Sequence, residues 1–71
     1  MGVYYRLSNG EDIEIRNNDN ETEILLFNGS TTLTYENNIN TLLNDIIKDV
    51  EARYDDLKAE DLVFMYSCYI D

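Results

Sequence analysis

Apolar and polar residues alternate with period two through the first half of the chain and recur every three or four residues in the second. Val3, Tyr5 and Leu7 share one face of an extended segment and Tyr4 and Arg6 the other, which predicts a strand over Val3 to Leu7. Glu11 to Arg16 alternates in the same way, with Ile13 and Ile15 inward and Asp12, Glu14 and Arg16 outward. Between these segments, Asn9-Gly10 supplies two residues that tolerate positive φ, a strong hairpin signal. Asn17-Asn18-Asp19-Asn20 separates the second strand from the third, because short polar side chains bond to nearby backbone and stabilise turns. Glu21 to Phe27 begins in alternation and ends in the apolar run Ile24-Leu25-Leu26-Phe27, which implies burial on both faces at that end. Asn28-Gly29 is a second hairpin signal. It leads into Thr31 to Tyr35, where Leu33 and Tyr35 point inward and Thr32 and Thr34 outward.

The period then changes. From Asn38 to Leu57 the apolar residues Ile39, Leu42, Leu43, Ile46, Ile47, Val50, Tyr54 and Leu57 fall on one stripe of a 3.6-period helix that must be buried. Asp45, Asp49 and Asp56 project from one flank of that stripe, Glu51 and Asp55 from the other, and Lys48 from the solvent side. Asn38 or Asn40 offers a side-chain acceptor for the first free amides. Lys58-Ala59-Glu60-Asp61 reads as the helix end and a connector. Leu62 to Ile70, short, aromatic-rich and apolar on both faces, predicts a final strand. The expected order is ββββαβ, an α+β domain with one amphipathic helix packed on one face of an antiparallel sheet.

At 71 residues the chain is a single domain, residues 1–71, of a size that buries only about 60% of the surface its unfolded form exposes. Dimerisation would supplement such a small core. The chain contains no proline, so no strand edge is blocked by that device and edge pairing between two copies is open. The apolar segment Leu62 to Ile70 is the candidate dimer contact on this reading. Cys68 has no partner for an intramolecular disulfide and sits among apolar residues, as a small buried hydrophobe would. No basic segment followed by a long apolar run opens the chain, and no apolar run reaches the roughly 18 residues that span a bilayer. These features predict a soluble protein of a reducing cytoplasm.

Charge adds the most to this picture. Fifteen Asp and Glu oppose five Lys and Arg for a formal charge of −10, spread along the chain as −4 over residues 1–35 and −6 over residues 36–71. A folded surface of this charge repels nucleic acid and anionic membrane and attracts basic surfaces with fast, salt-sensitive association. Arg6, Arg16, Lys48, Arg53 and Lys58 are too few and too interspersed with acids to form a nucleic-acid footprint. Histidine is absent, which removes the commonest general acid/base and metal ligand. One cysteine without histidine cannot complete a structural zinc site. Asp55-Asp56 and Glu60-Asp61, the dense carboxylate pairs, fall on positions expected to be solvated. Asn17, Asp19 and Glu21 place oxygens at alternate positions, but Thr22 stands where a calcium loop needs glycine, so the segment reads as a polar turn. The sequence therefore predicts no catalytic residue, no cofactor and no metal.

What remains is the arrangement of the acids. Asp45 and Asp49 lie about 6 Å apart along a helix axis, near two phosphate steps of roughly 3.4 Å each on a duplex strand. Asp56 extends the row, and Asp12, Glu14, Glu21 and Glu23 add outward-facing carboxylates from strands two and three. In size, charge and the acidic flank Asp45, Asp49, Asp56, the chain resembles the phage-encoded acidic DNA-mimic inhibitors. That resemblance implies an inhibitor, not an enzyme, that occupies the nucleic-acid-binding surface of a basic DNA-binding host protein, such as the nucleoid protein HU, in the cytoplasm of an infected bacterium. An anti-CRISPR inhibitor of a nuclease looks similar on the same electrostatic grounds. The alternative of another class is a small assembly protein acting as a homodimer or hetero-oligomer through Leu62 to Ile70.

Overall fold

The computed structural model describes residues 2–38 and 42–70, with side chains described up to Val63. Four strands, β1 (Val3–Arg6), β2 (Asp12–Asn17), β3 (Glu21–Leu26) and β4 (Thr31–Glu36), are followed by one helix, α1 (Leu43–Ile70). The sheet is an antiparallel meander in the order β1-β2-β3-β4. The fold is thus α+β, with the helix on one face of the sheet.

Each hairpin follows from its turn chemistry. Between β1 and β2 the Gly10 N–H donates to the Leu7 carbonyl at 2.9 Å and the Leu7 N–H to the Glu11 carbonyl at 2.8 Å. Gly10 takes φ 91°, where only glycine is unstrained, but Asn9 does not take positive φ; its side-chain oxygen accepts the Glu11 amide at 2.9 Å, so the turn runs over Ser8 to Gly10 rather than as the two-residue Asn9-Gly10 turn expected. Between β2 and β3 the Asn18 side-chain oxygen accepts the amides of Asn20 (2.9 Å) and Glu21 (2.7 Å). Between β3 and β4 the connection is longer than a two-residue Asn-Gly turn. Leu26 pairs with Thr31, and Phe27–Gly29 form a short 3-10 turn in which Phe27 (φ 54°), Asn28 (φ 58°) and Gly29 (φ 88°) all take positive φ. A positive φ is costly for a bulky residue such as Phe27. It turns the ring onto the helix, where it meets Tyr54 with centroids 5.4 Å apart, in the tilted geometry that aromatic pairs favour.

Cross-strand register sorts the side chains. Ile13, Ile15, Ile24 and Leu33 lie on the helix side, joined through the pairs Ile15↔Ile24 and Ile24↔Leu33. Leu7, Ile13, Ile24 and Leu26 meet Ile46, Ile47, Val50, Tyr54 and Leu57 in one core, with Ile15, Phe27, Leu33 and Tyr35 packed around it. The burial of Thr22 among these residues is satisfied by polar partners. Its hydroxyl accepts from Asn17 Nδ2 (3.0 Å) and donates to Asn37 Oδ1 (2.7 Å), and Asn37 Nδ2 donates to the Asn18 carbonyl (2.8 Å). This network ties the β2–β3 turn to the segment leaving β4.

The helix departs from the sequence reading at both ends. Its first bonds run from the amides of Asp45 and Ile46 to the Leu42 carbonyl, so it starts five residues beyond Asn38 and Asn38 is not its cap. Ile39 and Asn40 lie outside the described residues. Leu42 and Leu43, assigned to the buried stripe, are 59% and 50% exposed because the first turn precedes the helix's contact with the sheet. At the other end the predicted connector Lys58 to Asp61 is helical, and Leu62 to Ile70 is helix rather than a fifth strand. A short apolar run does not by itself distinguish the two states. Here no glycine or proline stops the helix after Leu57, and its propagation costs less than opening a new strand. A dimer contact through a terminal strand is excluded with it. The side chain of Cys68 lies outside the described residues.

Asp61, expected to be solvated, is buried. It accepts a hydrogen bond of 2.5 Å from the Ser30 hydroxyl at the β3–β4 connection. Ten residues earlier on the helix, Glu51 accepts from the Ser8 amide (3.0 Å) and the Ser8 hydroxyl, pinning the β1–β2 turn to the helix. These bonds draw the Ser8 turn and the Ser30 connection onto the helix, Glu51 and Asp61 lying about 15 Å apart along it.

Candidate functional site

The seven acids proposed from sequence as a contact surface fall into two groups on opposite layers. Register places Tyr4, Glu14 and Leu25 in one cross-strand row, Arg6 with Asp12, and Arg16 with Glu23. Glu21 faces Glu36 directly, and Glu23 faces Thr34. Asp12, Glu14, Glu21 and Glu23 therefore occupy the open face of the sheet, while Asp45, Asp49 and Asp56 lie on the helix, across the core. The structure does not unite them.

On the open face two acids are committed to arginines of the same sheet. Arg6 Nε donates to Asp12 Oδ1 at 3.0 Å and Arg16 Nε to Glu14 Oε2 at 2.7 Å. The bond from Arg6 holds the Asp12 carboxyl below its ordinary range, and Asp12 and Glu14 in turn raise the two guanidinium groups. A shallow depression lined by Tyr4, Asp12, Glu14, Arg16 and Leu25 lies here. Its charges are balanced within the protein and leave little field for a basic ligand.

The helix flank differs. Asp45, Asp49 and Asp56 share one side of α1 and all are exposed. The longer helix adds Glu60 to the same flank, a residue the sequence reading missed by ending the helix at Leu57. Along the axis the four carboxylates are separated by about 6, 10.5 and 6 Å. Two, three and two phosphate steps on a duplex strand span roughly 6.8, 10.2 and 6.8 Å. Asp49 is shared: its Oδ2 accepts from the Tyr35 hydroxyl at 2.6 Å and from Arg53 at 3.4 Å. Tyr35, first, and Arg53 lower the Asp49 carboxyl, whereas burial and then Asp49 push the Tyr35 hydroxyl up to about 12. Asp45, Asp56 and Glu60 have no hydrogen-bond or ion-pair partner among the described residues.

The segment Asn17 to Glu21 is organised as a turn: both side-chain atoms of Asn17 are engaged, with Thr22 and Asn37, and the Asn18 side chain serves backbone amides. No helix among the described residues is long and apolar enough to cross a membrane. No family of known sequences, no curated protein and no solved structure matches this chain.

Proposed function

We propose that this protein binds and blocks the basic nucleic-acid-binding surface of another protein, and that the helix flank Asp45, Asp49, Asp56, Glu60 is the contact. The observation that carries the reading is the row itself: exposed carboxylates on a rigid helix, at intervals near those of backbone phosphates. Rigid placement matters because a mimic gains affinity by presenting charge without ordering loops on binding. The molecule extends 44 Å along its longest axis and carries ten net negative charges, one per about 4.4 Å. That is near the density of one duplex strand, roughly one per 3.4 Å. Three of the five basic residues, Arg6, Arg16 and Arg53, are paired with acids of the chain itself, which leaves little positive charge to repel a basic partner. A nucleoid protein of the HU type presents the kind of basic surface required.

The test is a pull-down of the tagged chain from bacterial lysate at low and high salt, with duplex DNA as competitor. A basic DNA-binding protein should be retained at low salt and released by both salt and DNA. Retention indifferent to both would contradict the proposal.

A further inference from the structure

The edge of the sheet at β1 supports an inference that goes beyond this reading and does not depend on it. Among the described residues strand β1 pairs with β2 alone, so its other side presents backbone groups that none of them pairs. Both the amide and the carbonyl of Leu7 are bonded toward β2. By the alternation of antiparallel ladders Tyr5 and Val3 also bond inward, and the N–H and C=O groups of Arg6, Tyr4 and Gly2 point outward. Among the described residues this edge carries no proline, lysine or bulge, and Arg6 at its end is its one charge.

Its side chains are unusual for an exposed strand. Val3, Tyr4 and Tyr5 are 66%, 75% and 44% exposed. Val3 and Tyr5 lie on the helix side of the sheet, yet the helix does not cover them. β1 is also the one strand without an acid: it carries Arg6, whereas β2, β3, β4 and α1 are each net negative. In a chain of charge −10, a second copy is repelled from every other element and least from this one. The opposite edge does not compete, because β4 ends in Glu36 and lies beside the acidic helix flank through the Tyr35–Asp49 bond.

We propose that two copies of this chain associate through their β1 edges, antiparallel about a two-fold axis at Tyr4, to form one eight-stranded sheet with both helices on the same face. This register sets Tyr4 against its own copy and Gly2 against Arg6, so that every outward backbone group from Gly2 to Arg6 finds a partner. It sets Val3 against Tyr5, covering apolar surface that the helix leaves bare, in the aromatic–β-branched pairing that stabilises sheets. A side chain at Gly2 would begin within the space of the Glu14 carboxylate; the glycine opposite Arg6 of the second copy adds no side chain to the contact, and Arg6 keeps its bond to Asp12 of its own chain.

The association is small and opposed by net charge, so it should respond to salt in the opposite sense to the binding of a basic partner. Sedimentation velocity on the full chain, from about 10 μM to 1 mM, should show a dimer whose fraction grows with concentration and with salt as repulsion is screened. Amide exchange over the same range should show protection appearing at Tyr4 and Arg6. Tyr4→Pro removes an outward N–H without touching the ladder to β2, and Val3→Lys places a charge at the contact; each should reduce the dimer fraction at least tenfold. A monomer under all conditions would overturn the proposal. So would a dimer in which the Tyr4 and Arg6 amides of the unmodified chain exchange freely, or one that survives both substitutions.

Discussion

The Tyr35 hydroxyl donates to the Asp49 carboxylate across 2.6 Å and joins the last strand of the sheet to the helix flank. One acid of the proposed contact row is therefore also a structural ligand. Tyr35→Phe removes the bond and is expected to lower stability by about 0.5–1.5 kcal/mol, read by urea unfolding. It should also move the Asp49 carboxyl up toward its ordinary range in a carbon-detected NMR titration. An unchanged Asp49 would mean that Arg53, not Tyr35, governs it.

The same bond has an alkaline signature. Burial, and then the bond to Asp49, push the Tyr35 hydroxyl up to about 12 in the folded protein from the ordinary tyrosine value of 10.0, so between those values the folded state holds a proton that the unfolded state has released. Its contribution is fully present below pH 10 and is lost as pH rises toward 12. Unfolding followed against pH should show the decline in this window for the native chain and a shallower one for Tyr35→Phe.

Glu51 gives the acid limb. The Ser8 hydroxyl and amide hold its carboxyl below the ordinary glutamate value of 4.5, so its contribution is present above that value and lost as pH falls through the lower folded one. Glu51→Gln should lower the melting temperature at pH 7 and flatten the loss of stability on acidification. Equal acid sensitivity in both proteins would assign the acid limb to other carboxylates, of which Asp12 and Asp49 are also lowered.

The meander and the helix stripe were legible because both rest on periodicity. Ile13, Ile24, Ile46, Val50, Tyr54 and Leu57 are buried where their spacing puts them. What the pattern did not reveal depends on reach. Leu42 and Leu43 continue the stripe but precede the sheet; Val3 alternates correctly but lies on a strand that the helix does not cover. Leu62 to Ile70 has an apolar composition that serves a helix or a strand, and only the absence of a stop signal after Leu57 favours the former. The contact surface suffered from a related gap: outward on the strands and outward on the helix are opposite directions once the two layers pack, so the seven acids divide. The burial of Asp61 is not legible in the sequence because its bond to Ser30 is a tertiary contact with no local trace.

Core variants test the layer arrangement. Ile24→Ala removes a fully buried side chain beneath the helix and is expected to cost about 2–5 kcal/mol, a large share of the stability of a small domain. Val50→Asp buries an unpaired charge and should leave the chain unfolded by circular dichroism. A folded Val50→Asp protein would mean that the helix presents a different stripe to the sheet.

Glu21 and Glu36 face each other across β3 and β4, and like charges in that relation are unfavourable. Glu21→Lys is expected to raise stability by about 0.2–1 kcal/mol while leaving partner binding intact, since Glu21 lies on the open face. Loss of binding in a stable Glu21→Lys protein would transfer the contact from the helix to the sheet.

The most direct measurement of the central claim is the affinity of the chain for a purified HU-type nucleoid protein as a function of salt, beside the variant Asp45→Asn, Asp56→Asn, Glu60→Gln. These three acids are exposed and have no partners among the described residues, so the variant should fold as the native chain does. Helix-flank mimicry requires that affinity fall steeply with salt, that the native chain displace DNA from the partner, and that the variant bind at least tenfold more weakly with a shallower salt slope. Equal affinity and equal slope for the two proteins would contradict it.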